Sequence, residues 1–241
     1  MLISATLAAA MALAPSKPYF DVQLRPGQTV ENIFERTLFR ETPHRISGYA
    51  VYHISGVGRD RVDFVTSASY YGRGSVVNLK SSALLRADGL YYGADKPTLA
   101  TDSSGAFFNN WIWGKPPARL AAGTTWRYRI PAAWELGPSG VQTATVLSLD
   151  PLNDRIVLQR VGSGVGAPLG ETLPKIDGVT PAWGKTTWKG VTIVRRGLIE
   201  SDEVAVRHEL IVPRSATKPQ HVVIMIEQIE LGQVPYGGGL P

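Results

Sequence analysis

The chain of 241 residues contains no cysteine. Disulfides, thiolate nucleophiles, cysteine-held zinc and iron–sulfur clusters are therefore excluded, and so is a lipid anchor on cysteine. Histidine is scarce, with only His44, His53, His208 and His221. If the last hairpin turns near Ala216, His208 falls opposite Ile224 and His221 opposite Ile211. The two rings are then out of register for a shared metal, so no metal site is expected. Nucleophile and nucleotide motifs are missing as well. There is no G-x-S-x-G, and Gly162-Ser-Gly-Val-Gly-Ala-Pro-Leu-Gly170 has neither the spacing of a dinucleotide cradle nor a following Lys-Ser/Thr pair. It reads as a loop, and no cofactor is expected. Glu200-Ser-Asp-Glu203 reads as a solvated bend between Ile199 and Val204. No dense block of one charge occurs. The net charge is +5, but the basic residues are scattered in pairs such as Arg127 with Arg129 and Arg195 with Arg196. That pattern suits contact with an anionic envelope surface and not nucleic acid, for which a recognition motif is absent.

Long apolar runs are missing after the N-terminus, so an integral membrane protein is not expected. Met1 to Ala14 is apolar, rich in Ala and Leu, and free of charge. Ala10-Met-Ala12 and Ala12-Leu-Ala14 both fit the small-x-small pattern of a cleavage site. Residues 1–14 are read as a signal peptide, which places the mature chain in the periplasm or outside the cell.

What is abundant is turn chemistry and alternation. Gly 25 and Pro 17 are spread along the chain, and the apolar fraction is 44% against 19% charged. That balance supports a sizeable core. Trp126, Tyr128 and Ile130 alternate with Thr125, Arg127 and Arg129, which is the period of a strand with one dry and one wet face. Val141, Thr143, Thr145, Leu147 and Leu149 continue the alternation beyond a Gly137-Pro-Ser-Gly break. Asp150-Pro-Leu-Asn-Asp is a turn. Similar strands are read at Ile46–Ile54, Val62–Ala68, Val77–Leu85, Trp188–Arg196 and Ile199–Val212. Asp88-Gly89 is the sharpest hairpin signal. His221–Leu231 is apolar on both faces and belongs inside a sheet. Val30, Ile33, Phe34 and Leu38 have helical spacing behind a Thr29 cap and predict one short N-terminal helix. No repeat and no linker divides the chain. The expectation is an all-β domain over residues 15–241, with a flexible tail at 232–241. Ten to twelve strands form a large curved antiparallel sheet, an open barrel or a sandwich.

Leu120-Ala-Ala-Gly-Thr-Thr-Trp-Arg-Tyr128 resembles a recurring opening in exported bacterial curved-sheet proteins, where Leu-x-x-Gly-x-x-Trp-x-Tyr starts a meander. Some of these are similar in outline to the lipoprotein-carrier fold, a curved sheet over a helix with a greasy concave face. The resemblance covers residues 119 to 164 at most. It implies bacterial export and a β architecture, and it transfers no active-site residue.

The tryptophans carry the remaining signal. Trp111 and Trp113 share a face if extended, with Asn109, Asn110 and Lys115 as polar edges and Trp134 on a nearby loop. Together they predict a rim that stacks a sugar or meets an acyl chain. The reading is an exported envelope protein that binds an apolar, lipid or glycan ligand, or a protein partner, on its sheet without catalysis. The alternative is an exported hydrolase of envelope glycan or ester. A binder should line its cavity with apolar side chains, and a hydrolase should place histidine or paired carboxylates there.

Overall fold

The structure, a computed structural model, describes residues 13–39, 44–70, 74–86, 89–92, 98–99, 113–170, 172–173, 175–215 and 218–233. Among them the chain is almost entirely strand. A two-stranded ribbon pairs β1 (Ala14–Pro15) with β8 (Arg119–Leu120). The other twelve strands form one antiparallel sheet. Its first half is β2 (Thr29–Phe39), β3 (His44–Val57), β4 (Arg61–Tyr70), β5 (Gly74–Arg86), β6 (Gly89–Tyr92) and β7 (Thr98–Leu99). Its second half is β9 (Thr125–Ile130), β10 (Gly140–Asp150), β11 (Arg155–Val165), β12 (Ala182–Arg195), β13 (Leu198–Val212) and β14 (His221–Gln233). The chain walks outward from β2 to one edge at β7. It then crosses to the opposite edge at β9 and walks back until β14 pairs with β2. The end strands β7 and β9 do not pair, so the sheet is open.

The predicted helix from Thr29 is instead β2, and among the described residues the single short helix is α1 (Lys17–Phe20). Val30, Asn32 and Phe34 point into the protein while Ile33 is exposed. The position explains the change. At the centre of the sheet, β2 has ladder partners on both sides in β3 and β14, and tertiary pairing overrides a helical spacing of four apolar residues. The first two residues of the expected tail, Gly232 and Gln233, belong to β14 and pair with β2. Residues 234–241 lie outside the described residues, and so does the Asp88 of the predicted turn. The pairing of Arg86 with Gly89 shows the tight hairpin nevertheless.

One face of the sheet carries the core. Trp126, Ile130, Ala144, Val146, Ile156, Leu158, Trp188, Val204, Val206 and Ile229 pack with Phe34 and with Tyr19, Leu120, Trp134 and Leu136 from outside the sheet. A second cluster joins Val30, Tyr52, Ile54, Val62, Phe64 and Ala83 to Leu24 and Leu198. In β10 the dry face is the opposite of the one expected, with Gln142, Ala144 and Val146 buried. Register decides this: Ala144 lies opposite Trp126, and the large ring on β9 needs a small partner beside it. A bulge at Leu147 then shifts the phase, and Leu149, paired with Ile156, packs against the core.

The glycine-rich run is strand through Val165 and not loop. Gly162 lies opposite Trp188, and a Cβ there would collide with the indole. Gly140 makes room for the same ring. These glycines permit close packing of a tryptophan and cradle no phosphate. The acidic Glu200–Glu203 segment is likewise inside β13, with Asp202 buried and Glu203 exposed. The Leu120–Tyr128 opening has a local cause as well. Gly123 takes φ +83°, and its N–H donates to the Val146 carbonyl while Ala121 N–H donates to Thr124 Oγ1. That turn delivers Trp126 to the core.

Candidate functional site

The parity that buries one face fixes what the other displays. Two pairing rows cross β9 to β14. One is Arg129, Val141, Ser163, Thr187, Arg207 and Ile226. The next is Arg127, Thr143, Val161, Lys189, Ala205 and Gln228. Between them lies a groove of about 760 Å³. Its floor is aliphatic, from Val141, Val161, Ala205 and Ile226, and its hydroxyls come from Thr143, Ser163 and Thr187. Arg127, Lys185, Lys189 and Arg207 supply positive charge around it. Gly162 and Trp188 border it at the point where the missing side chain lets the indole approach the strand. Among the described residues, no carboxylate and no histidine lines it. Val161 and Ile226 are 46% and 43% exposed. Along β14 the greasy surface continues through Ile224 and Val222, with Ile211 opposite Val222 on β13.

Charged groups also sit beneath the sheet, on its buried face. Arg160 donates to both Asp202 carboxylate oxygens at 2.5 and 2.7 Å, and its Nε donates to Thr192 Oγ1. Thr192 donates onward to Asp202. Trp188 Nε1 donates to Gln142 Oε1 at 2.6 Å, and the Gln142 amide donates to the Tyr128 hydroxyl. Withdrawal from water pushes the Tyr128 phenol well above its ordinary value, against the opposing pull of Arg160. Arg36 reaches Glu227 through Nε and Nη2, at 3.0 and 2.7 Å.

Among the described residues, one array has the outline of hydrolytic machinery: Thr186, His208 and Glu227. Thr186 Oγ1 lies 3.0 Å from His208 Nδ1, and His208 Nε2 lies 3.9 Å from Glu227 Oε1. All three are essentially without solvent contact. Trp183 packs its ring edge against His208 at 5.2 Å, and Arg36 holds Glu227. A substrate has no surface on which to meet this hydroxyl, so the array ties β12, β13, β14 and β2 together. His208 pairs with Met225, and His221 pairs with Val212 on the far side of the hairpin. The register differs by one residue from the expected one, and the two imidazoles still do not meet. Among the described residues, no group of three ligand side chains could hold a metal.

No family model and no curated protein sequence matches the chain. A structure of lipovitellin, described by its lipid–protein interactions, is similar over 90% of this chain and 27% of its own, with 8% identity and a TM-score of 0.42. The chain thus spans about a quarter of that protein's length.

The tryptophan rim predicted from sequence divides. Trp113 and Trp134 are among the largest fully buried side chains, so they are core pieces and not displayed rings. The Trp113 carbonyl accepts from Trp126 Nε1 at 2.6 Å, and Phe20 packs on both rings. Trp134 meets Trp188 edge to face at 5.7 Å. Lys115 is at the surface, while Asn109, Asn110 and Trp111 lie outside the described residues. Trp113, Lys115 and Trp134 do not line the groove. The alternation of β10 puts Val141 and Thr143 on the expected dry face, and Ile226 falls in a strand that reads as apolar on both faces, so no signal in the sequence marked the groove.

Proposed function

We propose that the protein binds an apolar ligand in the groove on the outward face of β9–β14 and carries out no chemistry on it. One observation carries this reading. Aliphatic side chains, Val141 and Val161 on one side of β12 and Ala205 and Ile226 on the other, are displayed on the solvent side of a sheet whose other side already holds the core. Exposed aliphatic surface costs about 25 cal/mol for each Å² left in water, so this surface favours an occupant. The absence of histidine and carboxylate from the groove lining, and the burial of Thr186, His208 and Glu227, favour binding over hydrolysis.

We place the protein in the periplasm or outside the cell, on the strength of the apolar, small-residue segment 1–14. Cleavage after Ala12 keeps the pairing of Ala14 with Leu120, whereas cleavage after Ala14 removes half of that ribbon. The first site therefore fits the fold better.

Titration with the uncharged fluorophore N-phenyl-1-naphthylamine tests the reading. The parent chain should enhance its emission saturably. Val161→Asp with Ile226→Asp, on opposite sides of the groove, should abolish the enhancement without shifting the thermal midpoint. Unchanged binding by the double variant would move the ligand elsewhere.

A further inference from the structure

The arrangement of charge about the groove narrows the ligand, given the apolar-binding reading above. Thr187 sits directly opposite Ser163 on one side and Arg207 on the other. Lys185 and Lys189 flank Thr187 two residues away along β12, on the same face and both exposed. Diagonal neighbours on adjacent strands lie about 7–8 Å apart, so Lys189 and Arg207 form a compact cationic cluster around two hydroxyls. One carboxylate reaches this cluster, Glu209, which accepts from Arg207 Nη1 at 2.9 Å. The two lysines have no acidic partner within the groove.

The cluster has opposite surroundings along the strands. Toward one end, Glu203, Glu230 and Glu35 form an acidic row in register across β13, β14 and β2, with Glu35 held by Arg45 at 3.2 Å and Glu230 accepting from Gln228. Toward the other end, Ile226, Ile224 and Val222 form an exposed aliphatic line of about 13 Å, two residue pairs long. An anion over Thr187 is repelled by the acidic row and met by hydrocarbon-binding surface on the far side. We propose that the groove holds a single amphiphile with an anionic headgroup. Lys185, Lys189 and Arg207 grip the headgroup over Thr187, and the hydrocarbon lies along Ile226, Ile224 and Val222. A zwitterionic headgroup gains less there, because its cation meets Lys185 and Lys189, while Arg207 is shared with Glu209.

Calorimetry with two monomeric short-chain lipids tests this. Dihexanoyl phosphatidylglycerol is the anionic probe, and dihexanoyl phosphatidylcholine has the same chains. The parent should prefer the anionic lipid, with an affinity that falls as salt is added. Lys185→Gln with Lys189→Gln should weaken the anionic lipid by about tenfold or more, as loss of charge-assisted hydrogen bonds implies, and leave the zwitterionic one unchanged. Ile224→Ser with Ile226→Ser should weaken both.

Equal affinity for the two lipids would overturn the headgroup assignment but leave apolar binding standing. Failure to bind either lipid or the neutral fluorophore would remove the underlying reading itself. Inorganic phosphate that competes as well as the whole lipid would reduce the site to an anion pocket and overturn the proposed amphiphile. A dimer in solution that Ile224→Asp dissociates would assign the face to a second copy and overturn it too.

Discussion

Replacing Arg160 by Met leaves Asp202 as an uncompensated charge on the buried face of the sheet. Both side chains are essentially without solvent contact, and Asp202 loses two of its three hydrogen bonds, keeping Thr192 Oγ1. Breaking a buried pair by removing one partner costs about 3–5 kcal/mol. Met has nearly the length of the Arg stem, so a cavity adds little. With a urea slope of about 2 kcal/mol per molar, the midpoint should fall by roughly 1.5–2.5 M. The informative comparison is the double variant, Arg160→Met with Asp202→Leu. Apolar replacement of both partners is often neutral or better, so it should recover most of the loss. Equilibrium urea unfolding followed by tryptophan fluorescence measures all of these. An Arg160→Met variant within about 0.5 kcal/mol of the parent, the range of ordinary surface changes, would refute the buried pair. So would a double variant whose loss equals or exceeds the sum of the two singles.

Trp126→Ala should cost about 3–5 kcal/mol as a buried aromatic truncation. Arg127→Ala, on the wet face, should stay within about 0.5 kcal/mol; equal urea midpoints would mean the faces of β9 are misassigned. Gly162→Ala should destabilise by about 1–3 kcal/mol by overpacking Trp188. The combination with Trp188→Leu should be less destabilised than the sum of the two, and additivity would break the argument for that glycine. Asp63 accepts from Ser82 and Arg61, and these bonds hold its carboxyl below the ordinary range. Its small stabilising contribution is thus present above the unfolded-state value and lost as pH falls through the folded one. Ser82→Ala should raise the Asp63 midpoint in a carboxyl-carbon NMR titration, and no movement would contradict the assignment.

The class of fold was legible because alternation survives in nearly every strand, and β14, apolar on both faces, does lie between two neighbours. What sequence could not show was which apolar residues face inward. In β10 the apolar residues Val141 and Leu147 point out while Gln142 points in, because Trp126 across the ladder sets the parity. Arg160, Asp202, Glu227 and Gln142 occupy core positions in strands otherwise patterned for burial, and each finds its partner on a different strand. Such pairs have no local signature. Asp202 therefore looked like part of a solvated bend, and β2 like a helix until β14 was placed beside it. The groove was hidden for the same reason. Its aliphatic floor is assembled from four strands, with one residue from each, whereas the conspicuous Trp113 and Trp134 serve the core.

The most direct test is photo-labelling of the intact chain with a diazirine-bearing fatty acid, followed by peptide mapping. The account predicts adducts on β11, β12 and β14, centred on Val161, Thr187 and Ile226 and competed away by dihexanoyl phosphatidylglycerol. Adducts confined to the tryptophan segment at 109–115, or to strands β3 to β7, would contradict it.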